Sequence, residues 1–353
     1  MLYHTHSTHC MIETKLIKNQ SEWDLFVEKN HFSPMTQSSA YGVFYESMGD
    51  QTMVVGVYRD GTLIGGSLVI IIHAKRGSYF YLPYGPIAET EEDYEEVLNN
   101  CSTYLKKIAP EHKVAFIRSS PFIEKNTKNE TLFHGAGFTK APIHSLAEHT
   151  CLLDLSQSDE EIMKQMNKNH RNLIRRCEKE GVRIVSHTTH DKLTEFHTLS
   201  RETSKRHKFV RFSDEYVEKE FIAFEKQREV VVFYAYLPDG TLDSSAIVYY
   251  YGNTAAYRHG GSLSNNNKIP TPYLIQWAAI QEAKKRGKRW YNFWGVAPEN
   301  AGKKHPFKGI THFKKGFGGE VKNLLECHDL VIDKLKYWPV WMFETLRRIK
   351  RGF

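Results

Sequence analysis

The sequence predicts an α/β protein with mixed sheets, built as two tandem domains of one kind. Three observations predict it. Apolar runs of strand length alternate with helix-length amphipathic segments. One order of elements occurs twice along the chain. The length, 353 residues, suits two domains of ordinary size.

The repeated order reads as follows. In the first copy "MVVGVY", the turn "RDGTL" and "IGGSLVIII" form a hairpin. In the second, "VVVFYAYL", "PDGTL" and "DSSAIVYYYG" do the same. An Asp-Gly between β-rich runs is a strong hairpin signal. Each hairpin is followed by a third strand, "SYFYLPYGPI" and "AAYRHGGSL". A helix comes next, "EEDYEEVLNNCSTYLKKIA" and "TPYLIQWAAIQEAKKRG". A further strand closes each copy, "KVAFIRSSP" and "RWYNFWGVAP". The boundaries expected are 11–148 for the first domain, completed by 322–353, and 149–321 for the second.

Two helices precede the second copy. Residues 159–180 begin acidic and stop at Gly181, which reads as one helix. Ile162, Met166, Leu173 and Cys177 fall on one side of it. Lys164, Lys168, Arg171, Arg175 and Lys179 make a basic stripe that is either a solvated face or a polyanion contact. A second helix runs from His190 to Lys208.

Composition bounds the function. Hydrophobic residues make up 41% and charged residues 25%, the balance of a soluble globular chain. No stretch approaches eighteen apolar residues, so no spanning helix is expected. The start, "MLYHTHSTHCMIETK", has no apolar core and does not read as a signal peptide. Met11 also reads as a start, which would make residues 1–10 an extension. His4, His6, His9 and Cys10 read as an adventitious metal binder or a plain tail. The five cysteines (Cys10, Cys101, Cys151, Cys177, Cys327) lack C-x-x-C spacing. That pattern fits a reducing cytoplasm and argues against a zinc knuckle or disulfide framework. No metal and no cofactor is expected. The net charge of +7 permits nucleic acid, phosphates or an anionic membrane surface as partners.

Helix, strands, helix and strand in this order are those of an N-acetyltransferase-like (GNAT) fold. An acyl-CoA-dependent N-acyltransferase is therefore the alternative function. Its glycine-rich pyrophosphate motif, Q/R-x-x-G-x-G/A, is found in neither half. A binding module without catalysis is a third reading.

Six segments in one order resemble the Fem (FemABX) family of peptidoglycan aminoacyltransferases. They are "MTQSSAYG", "YLPYGPI", the stretch from "HGAGFTKAP" to "RCEKEGVRI", "AAYRHGGS", "PTPYLIQWAAIQEAKKRGKRWYNFWGV" and "FKKGFGGE". The resemblance covers about residues 33 to 321. The resemblance implies two GNAT-like domains, aminoacyl-tRNA as donor, and a UDP-muropeptide or lipid II as acceptor. It also implies a cytoplasmic monomer. About twenty residues without heptads separate Phe209 from Val230, so the chain resembles the compact members that lack a coiled-coil arm.

The resemblance assigns roles. Lys314 would stabilise the oxyanion of ester aminolysis, where a fixed cation favours the transition state over the ground state. Phe313 would stack on the terminal adenine, or else belong to the core. Lys303, Lys304, Lys308 and Lys315 would meet tRNA phosphates. Arg211 and Tyr216 would hold the acceptor diphosphate. Gln37, Ser38, Ser39, Tyr41, Tyr257 and His259 complete the substrate set. His259 stands where the family has a second tyrosine. Ala40 stands where some relatives have a lysine, and Asn292 where they have an aspartate. No general base is read. At the C-terminus, Trp338, Trp341, Met342, Phe343 and Leu346 precede Arg347, Arg348, Lys350 and Arg351. They read either as a peripheral contact with the membrane's inner surface or as aromatics packed back on the first domain.

Overall fold

The structure, a computed structural model, describes residues 11–75, 77–207, 210–263, 268–302 and 307–351. The first sheet begins with β1 (Ile12–Leu16), β2 (Gln51–Arg59), β3 (Thr62–Ala74), β4 (Gly77–Pro83), β5 (Ile87–Ala88), β6 (Phe116–Ser120) and β7 (Thr139–Lys140). Its helices are α1 (Gln20–Lys29), α2 (Ser39–Ser47), α3 (Tyr94–Ile108) and α4 (Thr127–Gly135). Alternation along the strands decides which face each residue serves. Val55, Val57, Val69 and Ile71 pack under Val97, Leu98, Cys101 and Leu105 of α3. Val54, Leu68 and Ile70 face the other way, toward Trp23 and Val27 of α1 and Phe44 of α2.

The second sheet holds β8 (His149–Asp154), β9 (Arg183–His187), β10 (Val230–Tyr236), β11 (Leu242–Tyr251), β12 (Thr254–Ser262), β13 (Trp290–Gly295) and β14 (Glu320–Asn323). Its strand order is β14-β8-β13-β12-β11-β10-β9, with β12 and β13 parallel. The helices are α5 (Asp159–Gln165), α6 (Lys168–Lys179), α7 (Thr194–His207), α8 (Asp214–Glu225), α9 (Thr271–Lys285) and α10 (Lys308–Lys315). Val231, Phe233 and Ala235 face α6 and α9. Val230, Val232 and Tyr234 face α7 and α8, in the same core that takes α1 and α2. The two sheets thus share one apolar layer.

The chain then returns to the first sheet. β15 (His328–Val331) enters between β6 and β7, giving the order β1-β2-β3-β4-β6-β15-β7, and α11 (Lys334–Arg351) covers it. Arg118, 1% exposed, is forked onto both oxygens of Asp329 at 2.8 and 2.7 Å and reaches Glu344 of α11 at 2.9 and 2.7 Å. Tyr337 and Val340 of α11 are buried against Phe116.

The single helix expected over 159–180 is two. Met166 is extended, and the Asn167 side chain accepts the amide of His170, which starts α6 afresh. Arg171 donates to the carbonyls of Lys164 and Met166, closing the end of α5. It is therefore engaged within the chain, while Lys168, Arg175 and Lys179 remain exposed. The expected helix from His190 is a short 3-10 turn followed by α7. Lys208, at its expected end, lies outside the described residues.

Candidate active site

β12 and β13 are the only parallel pair of the second sheet among the described residues, and they separate. They pair over Thr254–Ala256 and Trp290–Asn292, after which β12 runs on to Ser262 and β13 to Gly295. Each strand bulges just past the last shared pair. Tyr257 faces Val248 and His259 faces Ile247, which leaves Arg258 as an extra residue in β12. β13 carries an extra residue against β8 between Asn292 and Gly295. Asn292 organises this second irregularity. Its Oδ1 accepts from Thr150 Oγ1 at 2.5 Å and from the Trp294 amide at 2.7 Å. Trp294 is held at φ 63, a left-handed conformation unusual for a side-chain-bearing residue.

Lys314 lies on one side of the parted strands. It sits in the last turn of α10, only 6% exposed, and its Nζ donates to Gly295 O at 2.7 Å. The Tyr257 ring centroid is 5.7 Å away. Burial pulls the Lys314 ammonium from 10.5 down to about 7. At neutral pH it is therefore near half-charged, and a polyanion bound beside it would raise that fraction.

The other side holds a group that sequence reading missed. Glu220 of α8 has no exposed surface. Arg258 Nε donates to its Oε1 at 3.1 Å, His259 Nε2 to its Oε2 at 2.6 Å, and the Tyr249 hydroxyl to Oε2 at 3.3 Å. Burial alone would raise the Glu220 carboxyl, but Arg258 and His259 outweigh it and hold it at about 2. Burial also depresses His259, so the pair is a carboxylate with a neutral imidazole. Arg258 is the compensating cation. Its guanidinium lies 4.7 Å from the Trp294 ring and 5.3 Å from Phe212, and contacts the Tyr216 hydroxyl at 3.4 Å.

Strand alternation would put Tyr257 and His259 on one face. The bulge instead turns Tyr257 toward α10 and both Arg258 and His259 toward α8. Two glycines follow. Gly261 passes so close to α7 that a Cβ would lie 2.9 Å from backbone atoms of Leu199 and Ser200.

The remaining expected residues divide into walls and surface. Gln37 is fully buried, accepts the Leu68 amide at 2.8 Å and donates to Pro83 O at 2.7 Å. Ser38 caps α2, and Ser39 donates its amide to Asp24 at 2.8 Å. Placed so, these three hold the wall. Tyr41, 1% exposed, packs on Phe44 and Tyr45 beside the Arg258 group. Arg211 is paired with Asp214 at 2.6 Å, and Tyr216 stacks on Phe212 at 4.4 Å. Phe313 is half-buried against Tyr273 and Phe317 at 5.0 and 5.3 Å, and its carbonyl accepts from His170 Nε2 at 2.8 Å. Gly316 is required there, because any Cβ would lie 2.1 Å from the His170 ring. Lys308 and Lys315 are exposed and line a pocket of about 450 Å³ with Gln165, Thr311 and His312. Lys303 and Lys304 lie outside the described residues. Among the described residues no cluster of His, Cys, Asp or Glu could hold a metal ion.

The chain as a whole has known counterparts. The FemAB family model matches residues 18–240 and 239–345. The chain belongs to the FemAB family. Aminoacyltransferase FemB of Staphylococcus epidermidis is 31% identical over 114 residues, which are 32% of this chain and 26% of FemB. The chain thus spans about a quarter of the length of the curated relative it matches. The crystal structure of FemX superposes with a TM-score of 0.82 at 17% identity, covering 92% of this chain and 98% of FemX. The structure of L-PGS from Bacillus licheniformis gives 0.55 at 12%, covering 93% and 96%. A tandem GNAT protein from the clavulanic acid biosynthesis pathway gives 0.54 at 11%, covering 91% and 99%. These likenesses establish a fold of two GNAT-like units with mixed sheets.

Proposed function

We propose that this FemAB-family chain is an aminoacyltransferase that moves an amino acid from aminoacyl-tRNA to the stem-peptide amine of a peptidoglycan precursor, either a UDP-muropeptide or lipid II. The observation that carries this reading is the buried Lys314 beside the parted strands β12 and β13. The acceptor amine attacks the ester carbonyl carbon, a C–N bond forms, and the C–O bond to the tRNA ribose breaks. The amine proton leaves with the ribose oxygen or through water. Charge on the carbonyl oxygen peaks in the tetrahedral state, where the Lys314 ammonium acts most strongly. The exposed Lys308 and Lys315, at the two ends of α10, suit the donor's phosphates. On the opposite face, Arg211, Tyr216 and the Arg258 group suit an anionic acceptor. Such a reaction belongs to the cytoplasm, where charged tRNA is present, and needs no cofactor.

The test is purified protein with charged tRNA pools and either acceptor, read by product mass. A mass gain of one aminoacyl residue, absent with uncharged tRNA, is expected. Turnover with acetyl-CoA and none with charged tRNA would overturn the reading.

A further inference from the structure

We propose that the outer face of α11 docks on an anionic lipid surface. α11 already has a packing face: Tyr337 and Val340 are buried and Glu344 is bound to Arg118. Away from it stand Leu335 (88% exposed), Trp338 (60%), Met342 (58%), Leu346 (60%) and Ile349 (69%). Their spacing of three, four, four and three confines them to an arc of about 80° at 100° per residue. This apolar stripe is continuous over the helix and mostly exposed; Trp338 also meets the Trp341 ring edge-on at 5.2 Å. Isolated exposed apolar residues are ordinary, but an aligned row of five is an interaction surface.

The charges select the partner. Lys334, Lys336, Arg347, Arg348 and Lys350 are all exposed on the same helix. Its only carboxylate, Glu344, is turned inward to Arg118. An apolar stripe flanked by Lys334 and Lys350, with Lys336, Arg347 and Arg348 farther round the helix and no outward carboxylate of its own, complements an anionic headgroup layer above acyl chains. The cationic stems can lie along the apolar boundary while their heads stay in the headgroup region. No helix among the described residues is long and apolar enough to cross a membrane, so the contact is peripheral.

The inference goes beyond the transfer reaction, and its test needs no turnover. Full-length protein is sedimented with vesicles of phosphatidylcholine alone and of phosphatidylcholine with phosphatidylglycerol. Binding to the anionic vesicles should exceed binding to the neutral ones by about tenfold or more. Met342→Glu combined with Leu346→Glu should abolish it with an unchanged unfolding midpoint, since both side chains are already solvated. Trp338→Ser, on the same stripe, should weaken it without introducing charge. Arg347→Gln combined with Arg348→Gln and Lys350→Gln should erase the preference for phosphatidylglycerol. Equal sedimentation with the two vesicles would overturn the proposal. So would a parent dimer that the Glu variants split, with no vesicle binding by either form.

Discussion

Lys314→Met separates a functional lysine from a structural one, because the two roles pull stability in opposite directions. The ammonium falls from 10.5 to about 7 on folding. At about 1.4 kcal/mol per pH unit, its burial costs the parent about 5 kcal/mol at pH values below 7. Between pH 7 and 10.5 the unfolded chain binds the extra proton, so parent stability rises through that window and the cost disappears. Methionine never bears this cost. It does leave Gly295 O without the 2.7 Å bond, worth about 1–3 kcal/mol. The variant should therefore be more stable than the parent by roughly 2–4 kcal/mol at pH 6, and less stable by about 1–3 kcal/mol above pH 10.5. Turnover at pH 7 should meanwhile fall by about a hundredfold to a thousandfold. Urea unfolding across pH 6 to 10.5, with single-turnover kinetics at pH 7, reads both quantities. A variant destabilised equally at both ends of the pH range would refute the depressed lysine. Near-normal turnover would refute its role as the transition-state cation.

Glu220→Gln leaves the Arg258 side chain, 5% exposed, without its counter-charge, and should cost about 3–5 kcal/mol in urea unfolding at pH 7. Because Glu220 sits at about 2 when folded against an ordinary 4.5, its contribution is complete above pH 4.5 and is lost as pH falls toward 2; the variant should lack that part of the acid dependence. Gly261→Ala should lower stability by about 1–3 kcal/mol, read as the unfolding midpoint, because the new Cβ meets α7 backbone at 2.9 Å. Lys308→Gln with Lys315→Gln should weaken tRNA binding and reduce the slope of log affinity against log salt by about 1–2, with the fold unchanged; an unaltered slope would remove these lysines from the donor site.

Local rules made much of the fold legible. The Asp60-Gly61 turn has φ values of 49 and 81, the pair a two-residue hairpin demands, and it was marked by "DG" between apolar runs. The alternation of Val54 to Val57 and of Val230 to Ala235 between two cores follows from strand period alone. The helix over 159–180 was misjudged because its apolar period continues across Met166 and Asn167, while the cap that interrupts it is set by one side chain. The site was harder for the same kind of reason. Lys314 was found by resemblance, but its burial depends on where α10 packs. Tyr257 and His259 were paired by resemblance to the family's two tyrosines, and one inserted residue sends them to opposite faces. Glu220 and Arg258 carried no signal. They are 38 residues apart, and only the bulge aims the arginine at the helix that bears the carboxylate.

The duplication explains why there is one opening and not two. β4 and β6 correspond to β12 and β13, and both pairs are parallel. In the first copy the ladder holds to its last residues, Pro83 with Ser120. In the second it stops at Ala256 with Asn292. The third residue of each ladder differs in kind. Arg118 in the first copy grips Asp329 of β15, and β15 runs against β6 without a break. Asn292 in the second bonds to Thr150 and to the amide two residues on, and β13 bulges away from β8. Gln37 and Thr36 also bind Pro83 O, securing the end of β4. The first copy is thereby a closed wall, and it presents Tyr41, Tyr45 and Tyr84 toward Arg258. The second opens between Lys314 on one face and Arg258 on the other. On the proposed reading, the donor would approach that opening from the Lys314 face and the acceptor from the Arg258 face, so the two large anionic substrates would not compete for one surface.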